Sequence, residues 1–455
     1  MARSRRRPTR AETAHHPELA APAVSLALAA ASLVLAAALL GGCAAPSQVR
    51  PVEEPTEPPP SANAWQTARP LRIGLVVGAK QAEVSGSKEW ELRVQGGKRI
   101  AQEASGKRLR VARDGAGTIG VFREGEPEPV GTFGVGDTLV LEPSSGGYSG
   151  WSGNWYRGTF RIYASNPDGI TVVNEVDRES YLRSVLPNEI GTPPQTDFEA
   201  VKAQAVAARS YTLAYLGRRA DLGFDLYASV EDQVYAGLTR ENPQSDRALE
   251  ATRGEVLLCE GVPIRALYSS ACGGRTANVE DVWPWSWTPY LRSVRDAEGP
   301  GAKPYCALSA SFRWREEWDA TAFLTMLAQF GLSANGGVAA IKGDLLDVRV
   351  ASRSRSGRVQ DMVITTTAGD WALHGDRIRW GLRRPGTSAI LRSSFFKIGL
   401  LRGENGRAAR VVATGAGNGH GIGLCQWGAM GMARAGIGYR EILSHYYKAT
   451  RLTRI

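Results

Sequence analysis

The stretch DRESYLRSVLPNE, Asp177 to Glu189, and the stretch EAVKAQAVAARSY, Glu199 to Tyr211, mark where the chain changes from strand-like to helical character. Asp177 suits the cap of a helix. Tyr181, Leu182, Val185 and Leu186 recur at helical spacing until Pro187, which predicts the helix's end. After a loop holding Pro193 and Pro194, Asp197 is expected to cap a long Ala-rich helix from Phe198 to near Leu216, with Phe198, Val201, Ala205 and Ala208 on one face. Glu189 is thereby predicted in the turn between two helices, flanked by apolar residues. Apolar neighbours desolvate a carboxyl and raise its pKa, which a general acid requires. By spacing alone this is a weak signal, because most such glutamates are simply solvated.

Upstream, residues 71–173 alternate apolar and polar positions in short runs punctuated by glycine. Arg72–Val77, Leu109–Arg113, Thr138–Leu141 and Trp155–Tyr163 read as strands of a β-rich N-terminal domain. Residues 174–455 form the expected core, carrying a mixed α/β insert over 318–405. Within the core, strands are expected near Gly254–Leu258 and Ile264–Tyr268. The insert holds a helical stretch, Ala320–Phe330, and strands around Leu346–Val350 and Val359–Thr366. A Gly-rich segment then leads into a last helix, Tyr439–Tyr447. No repeat occurs at solenoid or propeller periods. The fold class is α+β: a helical and strand core with a β-rich N-terminal domain and a mixed insert.

The N-terminus explains the compartment. Arg3, Arg5, Arg6, Arg7 and Arg10 precede an apolar run from Ala21 to Leu40, the order of a secretory signal. The run ends in Leu40-Gly41-Gly42-Cys43, which resembles a bacterial lipobox with Cys43 as the lipidated residue. The competing reading is an uncleaved membrane anchor, and both place the remainder outside the cytoplasm. Residues 1–42 are thus expected to be a lipoprotein signal peptide, and the Pro-rich residues 43–70 a tether. Of the chain's net charge of +10, residues 1–42 contribute five Arg and two Glu, which leaves +7. That balance suits an anionic wall or membrane surface. Nucleic acid is a poor partner, for no basic helix or basic-aromatic platform is present. Cys259, Cys272, Cys306 and Cys425 contain no CxxC pair; an oxidising compartment allows disulfides, and Cys272–Cys306 is the pairing expected if one forms.

Four ordered blocks carry a resemblance. They are Asp177–Glu189 with Glu199–Tyr211, the segment QVYAG (Gln233–Gly237), the segment NGHGIGLCQWGA (Asn418–Ala429), and EILSHYY (Glu441–Tyr447). Together with the β-rich start, the chain from about residue 70 to 455 resembles the SpoIID/LytB family. The resemblance implies a lytic transglycosylase acting on peptide-stripped peptidoglycan strands, with Glu189 as the catalytic acid and base. It would protonate the oxygen between N-acetylmuramic acid and N-acetylglucosamine. It would then take the proton of the muramic C6 hydroxyl as a 1,6-anhydro ring closes, so a second carboxylate is not needed. Some relatives are described as amidase enhancers, which implies a wall-binding role with an amidase as partner.

Candidate substrate contacts are Gln204, Arg209 and Tyr211 on the long helix, Gln233 and Tyr235, and His420 and Gln426 in the Gly-rich block. Packing, or for Arg209 an ion pair with an acid, is the plainer reading for several of them. Trp283, Trp285, Trp287 and Tyr290 suggest a sugar-stacking platform, or merely a loop packed on its own domain. The Gly417–Gly423 run matches neither nucleotide-binding fingerprint. A Cys–His peptidase pairing His420 with Cys272 or Cys425 lacks a third orienting group. Some family members bind zinc at a segment matching Leu267–Thr276. Here the usual His is missing and only Cys272 offers a ligand, so no metal or other cofactor is expected. Cys425 stands where the family usually has Ser.

Overall fold

The computed structural model describes residue 65 and residues 69–113, 117–165, 169–331 and 341–455. The expected signal peptide, Cys43 and all but the end of the tether lie outside the described residues. Among the described residues no helix is long and apolar enough to cross a membrane. Helices and several sheets are both present, which makes the fold α+β.

Twelve strands open the described chain: β1 (Leu71–Ala79), β2 (Gln81–Gly86), β3 (Trp90–Val94), β4 (Arg99–Glu103), β5 (Arg108–Arg113), β6 (Ile119–Arg123), β7 (Gly131–Phe133), β8 (Thr138–Pro143), β9 (Ser149–Trp151), β10 (Asn154–Tyr156), β11 (Thr159–Ser165) and β12 (Gly169–Val176). They form two sheets. One is ordered β10-β9-β2-β5-β6-β7; the other holds β1-β12-β11-β8-β3-β4. Alternation puts Leu92, Leu109, Val111, Leu139, Leu141, Phe160 and Ile162 into one core with no exposed surface. A short strand from much later, β13 (Leu226–Tyr227), adds to the outer edge of β1 in parallel, pairing Ile73 with Leu226.

Helix α1 (Arg178–Ile190) follows β12 directly. Asp177 caps it as expected, its carboxylate accepting from the Ser180 N–H at 3.0 Å. Pro187 does not end it. A proline inside a helix removes one ladder bond and leaves the carbonyl four residues before it, here that of Arg183, without its helical partner. The helix runs on for three residues past it, with the Asn188 amide satisfying the Ser184 carbonyl at 2.8 Å and Gly191 (φ 73°) closing the end through its N–H on the Pro187 carbonyl. Glu189 therefore sits in the last turn of α1, not in the loop beyond it.

The long helix α2 (Phe198–Ala214) is buried along almost its whole length. Asp197 stands at its start but does not cap it with its side chain. That carboxylate instead takes a two-point ion pair from Arg434, at 2.6 and 2.8 Å. The core continues with α3 (Pro243–Ala251), β14 (Glu255–Cys259), β15 (Val262–Pro263) and β16 (Tyr268–Ser269). It then passes through loops rich in Trp to a short turn at Tyr305–Leu308.

The mixed insert has a hydrophobic core of its own, drawn from Trp314 to Ala413. Its elements are β17 (Trp314–Asp319), α4 (Ala320–Met326), β18 (Leu345–Arg353), β19 (Val359–Thr366), β20 (Gly369–His374), α5 (Arg377–Gly381), β21 (Phe396–Arg402) and β22 (Ala408–Gly415). The chain returns to the main core through β23 (Leu424–Cys425), which pairs in parallel with β16. It closes with α6 (Gln426–Arg434), α7 (Tyr439–Tyr446) and β24 (Arg451–Arg454) on β14. Helix α6 was not expected, because Gly428 and Gly431 weaken helical propensity. Both glycines let the helix approach its neighbours: a Cβ at Gly431 would collide with the Tyr305 carbonyl.

Candidate active site

Glu189 is half-buried at the end of α1, where the loop after β13, strand β16 and the start of α6 meet. Its Oε1 accepts from the Val234 N–H at 3.1 Å. Burial pushes its carboxyl from the ordinary value up to about 7, and the Val234 N–H and the Tyr268 hydroxyl pull against that rise. A carboxyl with such a pKa is part protonated at neutral pH and can both donate and accept a proton.

The groups around it are held by a buried network. Gln233 has no exposed surface. Its amide nitrogen donates to the Tyr268 hydroxyl oxygen at 3.0 Å, and its carbonyl oxygen accepts from Thr212 at 2.8 Å and Tyr181 at 3.3 Å. Because the Tyr268 oxygen is engaged as acceptor, its own proton is free to point at Glu189. Behind Glu189, the Gln426 amide donates to the Glu189 backbone carbonyl at 3.0 Å and lies 3.4 Å from the Gln204 side-chain oxygen. That carbonyl is one of the unpaired groups every helix leaves at its C-terminal end, so Gln426 caps α1.

His420 joins the network from the Gly-rich block. The Ile422 N–H donates to its Nδ1 at 3.0 Å, which leaves Nε2 protonated and donating to the Tyr268 carbonyl at 2.9 Å. Burial holds its pKa down to about 4, so it is neutral at pH 7. Its ring lies 5.0 Å from that of Trp283. Trp283 in turn helps line a cleft of about 500 Å³, with Asp281, Pro284, Gln360, His374 and Arg377. Glu189 is not part of that cleft's lining.

The structure thus brings Glu189, Gln233 and His420 to Tyr268, which the motifs do not single out, and sets Gln426 with Gln204 against the Glu189 backbone. Tyr211 packs beside Tyr268 at 6.3 Å between rings. Tyr235 is buried against Tyr181 and bonds Asn174 at 2.6 Å. Gln204, Arg209 and Gln233 have no exposed surface and cannot touch a glycan in this conformation. Arg209 is engaged elsewhere, bidentate on Glu179 at 2.8 and 2.9 Å and on the Glu255 carbonyl at 3.1 Å. Of the Trp cluster, Trp283 and Trp285 are buried, whereas Trp287 is 65% exposed. Cys272, Cys306 and Cys425 meet with Asp296 at a buried point of their own.

A family described as Stage II sporulation protein matches residues 166–258, and a domain of unknown function, DUF8618, matches residues 306–423. The second match falls across the insert. An uncharacterised protein of Brachyspira hyodysenteriae is 30% identical over 331 residues, which cover 72% of this chain and 76% of that protein. The amidase enhancer of Bacillus subtilis is 29% identical over 297 residues, covering 60% of this chain but only 40% of the enhancer. Stage II sporulation protein D of Bacillus subtilis is 24% identical over 303 residues, covering 62% of this chain and 76% of that protein.

Proposed function

We propose, from the premise that this chain belongs to the SpoIID/LytB family, that it is a peptidoglycan lytic transglycosylase with Glu189 as its single acid and base. A cell-wall role outside the cytoplasm follows from the family. The finer reading is supported above all by the Glu189 carboxyl, raised to about 7 by burial and aimed by the Val234 N–H. In this reading protonated Glu189 donates to the glycosidic oxygen between N-acetylmuramic acid and N-acetylglucosamine as the C1–O bond breaks. The resulting carboxylate takes the proton of the muramic C6 hydroxyl, whose oxygen bonds to C1. Atoms balance without water, and Glu189 ends protonated as it began. Tyr268, held by Gln233 and His420, positions the carboxyl through its hydroxyl. Gln204 and Gln426 fix the backbone beneath it. The substrate is a peptide-stripped glycan strand. The membrane is reached through lipid on Cys43, and neither metal nor nucleic acid takes part in the chemistry.

The name of one relative, amidase enhancer, favours a second reading, in which the chain binds wall glycan and stimulates an amidase. Digestion of peptide-free glycan strands by the wild-type protein and Glu189→Gln separates the two. Products lighter by one water than hydrolysis gives, lost in the variant, carry the transglycosylase reading. Glycan bound equally by both, with no product from either, sinks it in favour of the enhancer.

A further inference from the structure

Cys272, Asp296, Cys306 and Cys425 reach one buried point from four separate places. These are the loop after β16, the loop before the Tyr305–Leu308 turn, that turn itself, and the end of β23. One donor atom from each lies within 4.8 Å of every other. The Cys272 and Cys306 sulfurs stand 3.7 Å apart. Two thiolates bound at about 2.3 Å to one tetrahedral zinc ion are held about 3.8 Å apart, so the spacing already matches that of shared ligands. We propose that Cys272, Cys306, Cys425 and Asp296 form a closed structural zinc site that pins the start of α6 to the loops of the core.

The surroundings are built for thiolates. The Cys272 and Gly428 backbone N–H groups donate to Cys425 Sγ at 3.1 and 3.3 Å. The Tyr446 hydroxyl donates to Asp296 Oδ1 at 2.5 Å, and the Cys306 N–H to Oδ2 at 2.9 Å, so each carboxylate oxygen is oriented and keeps a lone pair. Such outer contacts fix ligand geometry around a metal. Space is reserved too: a Cβ at Gly428 would collide with the Tyr446 hydroxyl and Asp296 Oδ1.

The charge balance agrees. Three thiolates and a carboxylate around a zinc ion leave a net charge of about −2. Beside them lies Arg358, 1% exposed, which donates to the Cys272 and Arg275 carbonyls at 3.1 and 3.2 Å. Its Nε and Nη1 have no hydrogen-bond partner, and the nearest carboxylate to act on it, Asp376, is already paired with Arg379. A buried cation without a counter-charge is costly. An anionic metal cluster one peptide away supplies it. All four positions of the ion are filled by protein, so the zinc is structural. Cys425 directly precedes Gln426, the cap of α1, so the ion braces the backbone under Glu189.

The test uses the full-length protein, purified without chelator. Elemental analysis is expected to find stoichiometric zinc, reduced at least several-fold in Cys306→Ser. Cobalt added to the zinc-stripped wild type is expected to give a thiolate-to-cobalt charge-transfer band. Because the variant could fail to fold, the wild type alone is also decisive. Alkylation after unfolding in chelator should label Cys272, Cys306 and Cys425 only if they are neither oxidised nor lost, with Cys259 as control. A Cys272–Cys306 disulfide in the mass spectrum, or three free thiols with no zinc and no cobalt band, overturns the proposal.

Discussion

The Val234 N–H donates to Glu189 Oε1 across 3.1 Å, so the acid at the end of α1 takes its aim from a loop 45 residues further along the chain. That loop reaches Glu189 because the neighbouring Gln233 is buried in the network beneath Tyr268. Local helix geometry and a distant network together set the protonation of one carboxyl.

Since the Glu189 carboxyl is raised from 4.5 to about 7 on folding, its ionisation opposes the folded state. The stability it contributes is fully present below its unfolded pKa of 4.5 and is lost as pH rises through about 7. Glu189→Gln, which cannot ionise, is expected to abolish turnover yet be more stable than wild type at pH 8, by about 3 kcal/mol, and equal to it at pH 4. Thermal unfolding at the two pH values checks this. Equal stability at pH 8 would mean that the carboxyl is not raised.

Removing Gln233 leaves Thr212, Tyr181 and Tyr268 without their shared partner in a dry interior. Gln233→Leu should cost about 1–3 kcal/mol in urea unfolding. It should also move the basic limb of the activity profile, because an unanchored Tyr268 no longer restrains the Glu189 pKa. A variant that loses stability but keeps the wild-type pH profile would confine Gln233 to packing.

Arg209 and Glu179 tie α2 to the first turn of α1. Arg209→Met strands the Glu179 carboxylate and should destabilise by about 3 kcal/mol. The double variant with Glu179→Gln is expected to recover much of that loss. If glycan affinity fell while stability held, the arginine would have to reach substrate after all.

His420 is held neutral, its pKa lowered from 6.5 to about 4. A depressed histidine contributes stability that is present above its unfolded pKa of 6.5 and lost as pH falls through about 4. His420→Gln should flatten the decline in melting temperature between these two values. It should also lower kcat more than it changes KM, through the loosened Tyr268 carbonyl. An unchanged acid limb would count against the neutral, anchored ring.

What could be read beforehand was local or patterned. The Asp177 cap lies three residues from the N–H it satisfies, and the strand alternation of the N-terminal part needs only neighbours in sequence. Pro187 misled because proline's cost depends on its place in the helix: near the C-terminal end it removes one ladder bond, and the turn beyond it is still held by Asn188 on the Ser184 carbonyl and Gly191 on the Pro187 carbonyl. The motif around Glu189 was enough to single it out as the candidate acid. Tyr268 was not, since nothing in Leu267–Thr276 shows that its hydroxyl meets a carboxyl from α1. The gathering of Cys272 and Cys425, 153 residues apart, was equally hidden, because it depends on the parallel pairing of β16 with β23.

Strand β13 lies against β1, and Asp225 just before it takes Arg69 at 2.6 and 2.8 Å and the Arg72 N–H at 2.9 Å. Nine residues after Asp225, the loop that follows β13 delivers Val234 to Glu189. The first strand of the N-terminal body is therefore the far anchor of the arm that steers the acid. A fragment begun at α1 would keep every residue of the motif and still lose the fixed end against which that arm is braced.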